Sequence, residues 1–349
     1  MGLRRLVARR ILLSVPTAIG VITIIFVALL PINPMMRVAF FVRSPRDLIP
    51  SNLDRLIHRY GLDRPLLLQW VDWLKKVATL DFGVSLPGGQ PAMELVFSSL
   101  PVTFELIVYS APLIIGFGLW LGTKAGLHHN RPVDHIVRVA GTLGTTLPVF
   151  LVAGLVVAIT IAQTGFIPAG RLSYGLNHDF NVKVENGTFA VYTGMISIDA
   201  LLNGEVEIFL DALAHLVLPV MVLVFTQGVA LIRLTRSGVI EESGKQYFLS
   251  ARAKGLSRKD AVYKHARKNA AISVLTVSGV LIGNMLTSLV IVERVFYIHG
   301  FGSLAVSAAQ NLNMTVVFAC ATFVALLFVL INLVVDILYG IIDPRIKLG

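Results

Sequence analysis

The segment Tyr247-Phe-Leu-Ser-Ala-Arg-Ala-Lys-Gly-Leu256 holds the residues of this chain best suited to a specific task, and that task is docking rather than bond making. A helix from Tyr247 to Lys254 can lie flat at a membrane surface. Ala251 and Ala253 keep it slim enough to enter a groove. Arg252 and Lys254 place positive charge where a helix C-terminus favours it and where a partner's carboxylates can meet it. Gly255 stops the helix, because glycine takes up the left-handed conformation of a C-cap without penalty. Ser250 and Leu256 complete the segment. The plain alternative is a basic loop held to anionic lipid, which needs charge but neither the alanine spacing nor the glycine stop.

Chemistry of other kinds has no visible carrier. A phosphate-binding loop needs G-x-x-x-x-G-K-[ST]; Gly118 and Gly122 followed by Thr123-Lys124 have the wrong order. Neither H-E-x-x-H nor G-x-S-x-G occurs. His128, His129 and His135 lie beside Asn130, Arg131 and Pro132, a setting that reads as a solvated loop rather than a metal site. Cys320 is the single cysteine, which excludes an intrachain disulfide and a cysteine-based cluster. Uphill work by this chain therefore draws on another chain or on an ion gradient.

The elements that position the docking segment are apolar. Hydrophobic residues make up 55% of the 349 and charged residues 14%, with a mean hydropathy of +0.77. Soluble domains carry about 25% charged residues; this composition is that of an integral membrane protein. Six stretches reach the roughly 20 apolar residues that a spanning helix needs: Ile11–Leu30, Leu100–Leu121, Ile136–Ala162, Leu213–Leu234, Ile272–Val295 and Val316–Ile341. Arg4, Arg5, Arg9 and Arg10 before the first keep the N-terminus inside, and six crossings return the C-terminus inside. A cleaved signal peptide fits less well, since Pro31-Ile-Asn-Pro34 offers no small-residue cleavage site. Most of the 30 lysines and arginines then face the cytoplasm, as the positive-inside bias requires. The formal charge of +10 thus needs no nucleic-acid partner.

The chain divides into residues 1–30, an outer segment 31–99, a helix pair 100–163, an outer insert 164–212 and a final section 213–349 that contains the docking loop 236–270. In the first outer segment, Leu53–Tyr60 and Leu66–Val77 have helical spacing, with Trp70 and Trp73 three apart. They read as helices packed on the outer mouth or lying at the membrane interface. The insert alternates apolar and small polar residues over Phe189–Ile198, with Gly187 and Gly194 nearby, which predicts a small β-hairpin. Asp179, Glu185, Asp199, Glu205, Glu207 and Asp211 make it acidic against Arg171 and Lys183.

The docking loop carries a resemblance. Ser250-Ala-Arg-Ala-Lys-Gly-Leu-Ser257, followed by Lys264-His-Ala-Arg-Lys-Asn269, resembles the cytoplasmic coupling motif of ATP-binding-cassette importer permeases, within them the oligopeptide/dipeptide/nickel permease family. Arg59-Tyr-Gly-Leu-Asp-Arg-Pro65, Asp81-Phe-Gly-Val-Ser85, Leu100-Pro-Val-Thr-Phe-Glu-Leu106, Phe166-Ile-Pro-Ala-Gly170, Val292-Glu-Arg-Val-Phe296 and Asn332-Leu-Val-Val-Asp336 agree in order and spacing. Leu80 stands where the family usually has Gly, His299 where it usually has Pro, and the insert 172–211 is longer than usual. The resemblance implies an all-α membrane fold of six spans with a coupling helix at 250–256. It implies a second homologous permease, two ATP-binding subunits that hold ATP and Mg, and a substrate-binding protein outside the cell membrane. No cofactor and no catalytic group are expected on this chain.

Substrate in such a complex passes between the two permeases. Ionisable and amide side chains within spans are costly and draw suspicion of function; Asn284, Gln227 and Glu105 are the path candidates, with Asn332 and Asp336 behind them. Gly279 and Gly283, four apart, favour close helix packing. Peptides are the family's usual cargo, and oligosaccharides the alternative. A secondary transporter needs repeated halves or broken helices that do not show here. A non-transporting scaffold leaves the docking segment unexplained.

Overall fold

The computed structural model describes residues 3–32, 37–38, 41, 53–85 and 88–342. Side chains are described for all of these but residues 3–8, Leu53, seven between 272 and 284 with Asn284 among them, Asp336 and residues 338–342. The chain forms two compact units, one of residues 1–101 with 300–337 and one of 102–299 with 338–349.

In the first unit, α1 (Leu3–Leu29) is followed by α2 (Leu53–Arg59) and α3 (Leu66–Thr79), close to the two outer helices that the spacing predicts. The indole of Trp70 donates to Thr23 Oγ1 at 3.0 Å, tying α3 along α1. Trp73 is buried edge-on against Phe82. The long α4 (Ala92–Leu127) begins in this unit and continues into the other. The unit closes with α13 (Phe301–Gln310) and α14 (Met314–Ile342), where Phe323 meets both Phe97 and Phe301.

The second unit holds α5 (Pro132–Thr146), α6 (Val149–Thr164), α7 (Tyr174–Glu185), α8 (Ile196–Asn203), α9 (Val206–Ser243), α10 (Gln246–Ala253), α11 (Arg258–Ala261) and α12 (Arg267–Val295). One π turn, Val262–Ala266, joins α11 to α12. The core runs between α4, α9 and α12, with Leu106, Leu223, Leu231, Met285, Leu289, Val292 and Phe296 sealed inside.

Among the described residues, four helical stretches are long and apolar enough to cross a membrane: Arg9–Leu29, Ala92–Leu127, Val206–Ser243 and Met314–Val335. The third expected span is broken. α5 and α6 meet at 106°, and only together do they make a fifth crossing. Pro148 is the cause. It caps α6, and the residue before a proline is driven out of the helical region; Leu147 accordingly sits at φ −76°, ψ 127°. The fifth expected span, Ile272–Val295, falls within α12, which is not among these stretches.

The β-hairpin expected over Phe189–Ile198 does not form. The one β pairing among the described residues is the single bridge between Val84 and Pro91. Turn chemistry overrides the alternation instead. The Asp199 carboxylate accepts from the Thr193 and Gly194 amides and from the Thr193 hydroxyl, at 2.8–2.9 Å. Asn203 bonds both backbone groups of Ala190. The segment is thereby folded onto α8, with Phe189, Ile196, Ala200 and Ile208 forming its own small core.

Candidate functional site

The docking segment is a short helix held by one buried anchor. Phe248 is 5% exposed and packs among Val239, Ala261, Val262, Ala266 and Ala270, with Leu127, Tyr247 and Leu256 around it. Gln246, Leu249, Ser250 and Ala253, at i, i+3, i+4 and i+7, form the opposite stripe and are all exposed. Leu249, at 57% exposure, gives that stripe an apolar centre, which the sequence reading of fixed charge on a slim helix did not single out. Lys254 and Gly255 are exposed at its end, and Ala251 is half-buried beneath it.

The helix ends as the glycine predicts. Gly255 has φ +91°; its amide donates to Arg252 O at 3.0 Å, and the Leu256 amide reaches back to Ala251 O at 3.3 Å. This pair of bonds is the Schellman closure, and Leu256 supplies its apolar contact. The Arg252 guanidinium donates to Leu256 O at 2.7 Å, so this cation also stiffens the closure. Ser257 then caps α11 by accepting from the Asp260 amide. The short α11 does not stop at Ala261 but runs through the π turn into α12. Inside the turn the Arg267 amide bonds Val262 O, one residue farther back than an α-helix allows.

The entry to α10 is fixed by charge. Lys245 and the Tyr247 hydroxyl both donate to Glu242, and Asn269 donates to the Tyr247 oxygen at 3.0 Å. Burial, then the bond to Glu242, pushes the Tyr247 phenol above its ordinary pKa. The bond to Glu242 holds the Lys245 ammonium above its own. Docking segment, end of α9 and start of α12 are thus one hydrogen-bonded knot.

One buried ion pair escaped the sequence reading. Asp134, in the first turn of α5 and 0% exposed, takes a bidentate grip from Arg236 of α9, Nε to Oδ1 at 2.5 Å and Nη2 to Oδ2 at 2.9 Å. The Asn130 amide donates to the same carboxylate at 2.9 Å. An aspartate next to Arg131-Pro132 signals a helix start, but its partner lies 102 residues away. A second missed feature was legible. Gly118, Gly122 and Gly126 repeat every four residues and let α4 press onto Leu231, Thr235 and Val239 of α9.

Glu105 and Gln227, the two path candidates described in the second unit, are held by separate partners. Glu105 is 2% exposed and fully engaged: Arg171 donates to Oε2 at 2.7 Å, and the Ser197 amide and hydroxyl donate to Oε1 at 2.8 and 2.6 Å. It holds the insert to α4. Gln227 is half-buried and donates to Ser288 of α12 at 2.7 Å. Asn332 is exposed and lines a cavity of about 700 Å³ between α1 and α14, with Ser14 and Thr17 opposite. The Asn284 and Asp336 side chains lie outside the described residues. Among the described residues no three His, Cys, Asp or Glu come together as metal ligands. His128 Nδ1 faces Lys124 O at 2.9 Å, and His135 Nδ1 accepts from Arg138.

Comparison with known proteins covers this whole arrangement. Residues 114–348 match the family described as binding-protein-dependent transport system inner membrane component. The chain is 35% identical over 345 residues to the di/tripeptide transport system permease protein DppB of Pseudomonas aeruginosa, covering 98% of each chain. It is 30% identical over 344 residues to the dipeptide transport system permease protein DppB of Escherichia coli K12, again covering 98% of each. It is 34% identical over 339 residues to the probable D,D-dipeptide transport system permease protein DdpB of the same strain, with 97% of this chain and 95% of that one covered.

Proposed function

The chain belongs to the binding-protein-dependent transport system inner membrane component family, and from that premise we propose that it is one permease of an ATP-driven importer of short peptides. A second homologous permease completes the path. Two ATP-binding subunits, which carry ATP and Mg, sit beneath, and an extracytoplasmic binding protein delivers the cargo. The observation that carries this reading is the exposed stripe Gln246–Leu249–Ser250–Ala253, presented on a helix anchored by Phe248 and closed at Gly255.

The proposed topology has six crossings and both termini in the cytoplasm, with α5 and α6 as one bent crossing and α12 as another. That arrangement puts α10 on the cytoplasmic side with the basic residues of 236–270. Nucleotide-driven closure of the ATPases then moves the docking segments, opening the bundle outward, and hydrolysis restores the inward-facing state. The chain supplies no reacting group; it links two conformational equilibria. Full-length similarity to permeases named for dipeptides favours peptide cargo.

The test is ATP hydrolysis by the complex that co-purifies with this chain, with its binding protein and separate panels of peptides and oligosaccharides. Stimulation by di- to oligopeptides is expected. Stimulation by oligosaccharides alone overturns the cargo assignment, and the absence of any ATPase in the complex overturns the importer reading.

A further inference from the structure

Three features bind α5 to the docking segment through a single rod. The first is the buried Asp134–Arg236 pair. It satisfies both carboxylate oxygens with a planar, two-pronged donor, the most direction-specific ion pair that side chains make. The second lies farther along the same two helices. A Cβ on Gly144 would stand 2.6 Å from Val229 Cγ2 and 3.0 Å from Phe225 O, so α5 and α9 touch there at backbone distance. The third is the continuation of α9 past Arg236, where Val239 packs on Phe248 and Glu242 holds Lys245 and Tyr247. Phe225, Val229 and Arg236 grip α5; Val239 and Glu242 grip α10. All five belong to one unbroken helix.

We propose, resting on the reading of α10 as the partner-docking element, that Asp134 is a positioning residue that makes the start of the third membrane segment move with the docking segment as one rigid body. A push on α10 passes through Phe248 and Tyr247 into the end of α9, and through Arg236 and Asp134 into α5. Without the carboxylate, Arg236 keeps its place on α9 but loses its hold on α5. The docking segment can then move while the third membrane segment lags.

The experiment is hydrogen exchange on the intact complex in nanodiscs, with and without ATP plus vanadate, for the native chain and for Asp134→Asn. In the native complex, trapping should change exchange in 246–256 and in 128–140 together. In Asp134→Asn, 128–140 should exchange at least about tenfold faster and no longer respond to trapping, while 246–256 still responds. The ratio of binding-protein-stimulated to unstimulated ATP hydrolysis should fall in the same variant, whereas simple loss of assembly lowers both rates in proportion. A trapped native complex in which 246–256 changes alone overturns the inference, as does an Asp134→Asn complex in which both segments still respond together. If 246–256 does not respond in the native complex, the docking reading itself fails; the native data then decide without any variant having to fold.

Discussion

Gly122 of α4 lies against Thr235 of α9 with no room for a side chain: a Cβ on it would stand 2.5 Å from Thr235 Cβ and 2.7 Å from the Ile232 carbonyl oxygen. Gly118 and Gly126 repeat the relationship one turn to each side, against Leu231 and Val239. Water cannot drive two apolar helices together inside lipid. Close backbone approach over small residues supplies the packing instead. The same stretch of α9 carries Arg236 and ends at the docking knot, so this seam sets where the docking segment hangs.

Gly122→Val should therefore destabilise the chain by about 1–3 kcal/mol, the usual cost of forcing atoms into a packed seam. Gly116 is the control, because nothing lies within 4 Å of a Cβ there; Gly116→Ala should be neutral or gain up to about 1 kcal/mol from helix propensity. Thermal unfolding of both variants in one detergent decides it. Equal midpoints would remove the seam from the argument.

At Gly255 the constraint is the backbone alone. No atom stands within 4 Å of a Cβ placed there, but φ is +91°, a conformation that costs an L-residue about 1–3 kcal/mol. Gly255→Leu should insert into the membrane normally and lose coupled transport, since the Schellman closure that ends the docking helix opens. Gly255→Asn should retain more transport than Leu, because asparagine tolerates positive φ better. Undiminished transport by Gly255→Leu, with insertion verified, would remove the docking role.

Leu80 carries backbone strain at the end of α3. It occupies the left-handed C-cap of α3 at φ 55°, a conformation that suits Gly, and the residue is 42% exposed. Leu80→Gly relieves the backbone and gives up little burial. It should stabilise the protein by about 0.5–1 kcal/mol. Chemical denaturation in mixed micelles is the measurement, and a loss of stability would mean that the Leu80 side chain contributes contacts that outweigh the strain.

Much of this architecture was legible in the sequence because it rests on local chemistry. Hydropathy located the helices, and Ala251, Ala253 and Gly255 placed a slim helix with a stop. Hydropathy failed at Leu147–Pro148 because it averages over a window, whereas a single proline can turn the chain by 106°. Alternation misled at Phe189–Ile198, since one carboxylate, Asp199, organises a turn more strongly than period-two spacing specifies a strand. Asp134 was invisible for another reason: its role exists only once Arg236 has been folded beside it. Glu105 was noticed as costly in a span, but its partners Arg171 and Ser197 come from an insert that the sequence had made into a hairpin.

Glu105 therefore separates two accounts of the outer mouth. As a path residue it would contact cargo, and Glu105→Gln would alter transport while leaving the insert in place. The geometry assigns it instead to holding the insert, with Arg171 and Ser197 taking both its oxygens and no exposed acceptor left for cargo. Removing one partner of a buried pair costs about 3–5 kcal/mol, because the other charge stays desolvated. Arg171, at 20% side-chain exposure, is somewhat wetter than that limit, so the lower end applies. Glu105→Gln should release residues 172–203 to limited proteolysis in intact nanodiscs, while leaving the Gly255 region as resistant as before. Arg171→Met should do the same, and the double variant should be less susceptible than either, because no charge is then left unpaired. Cleavage unchanged in Glu105→Gln, together with altered cargo preference, would return Glu105 to the path.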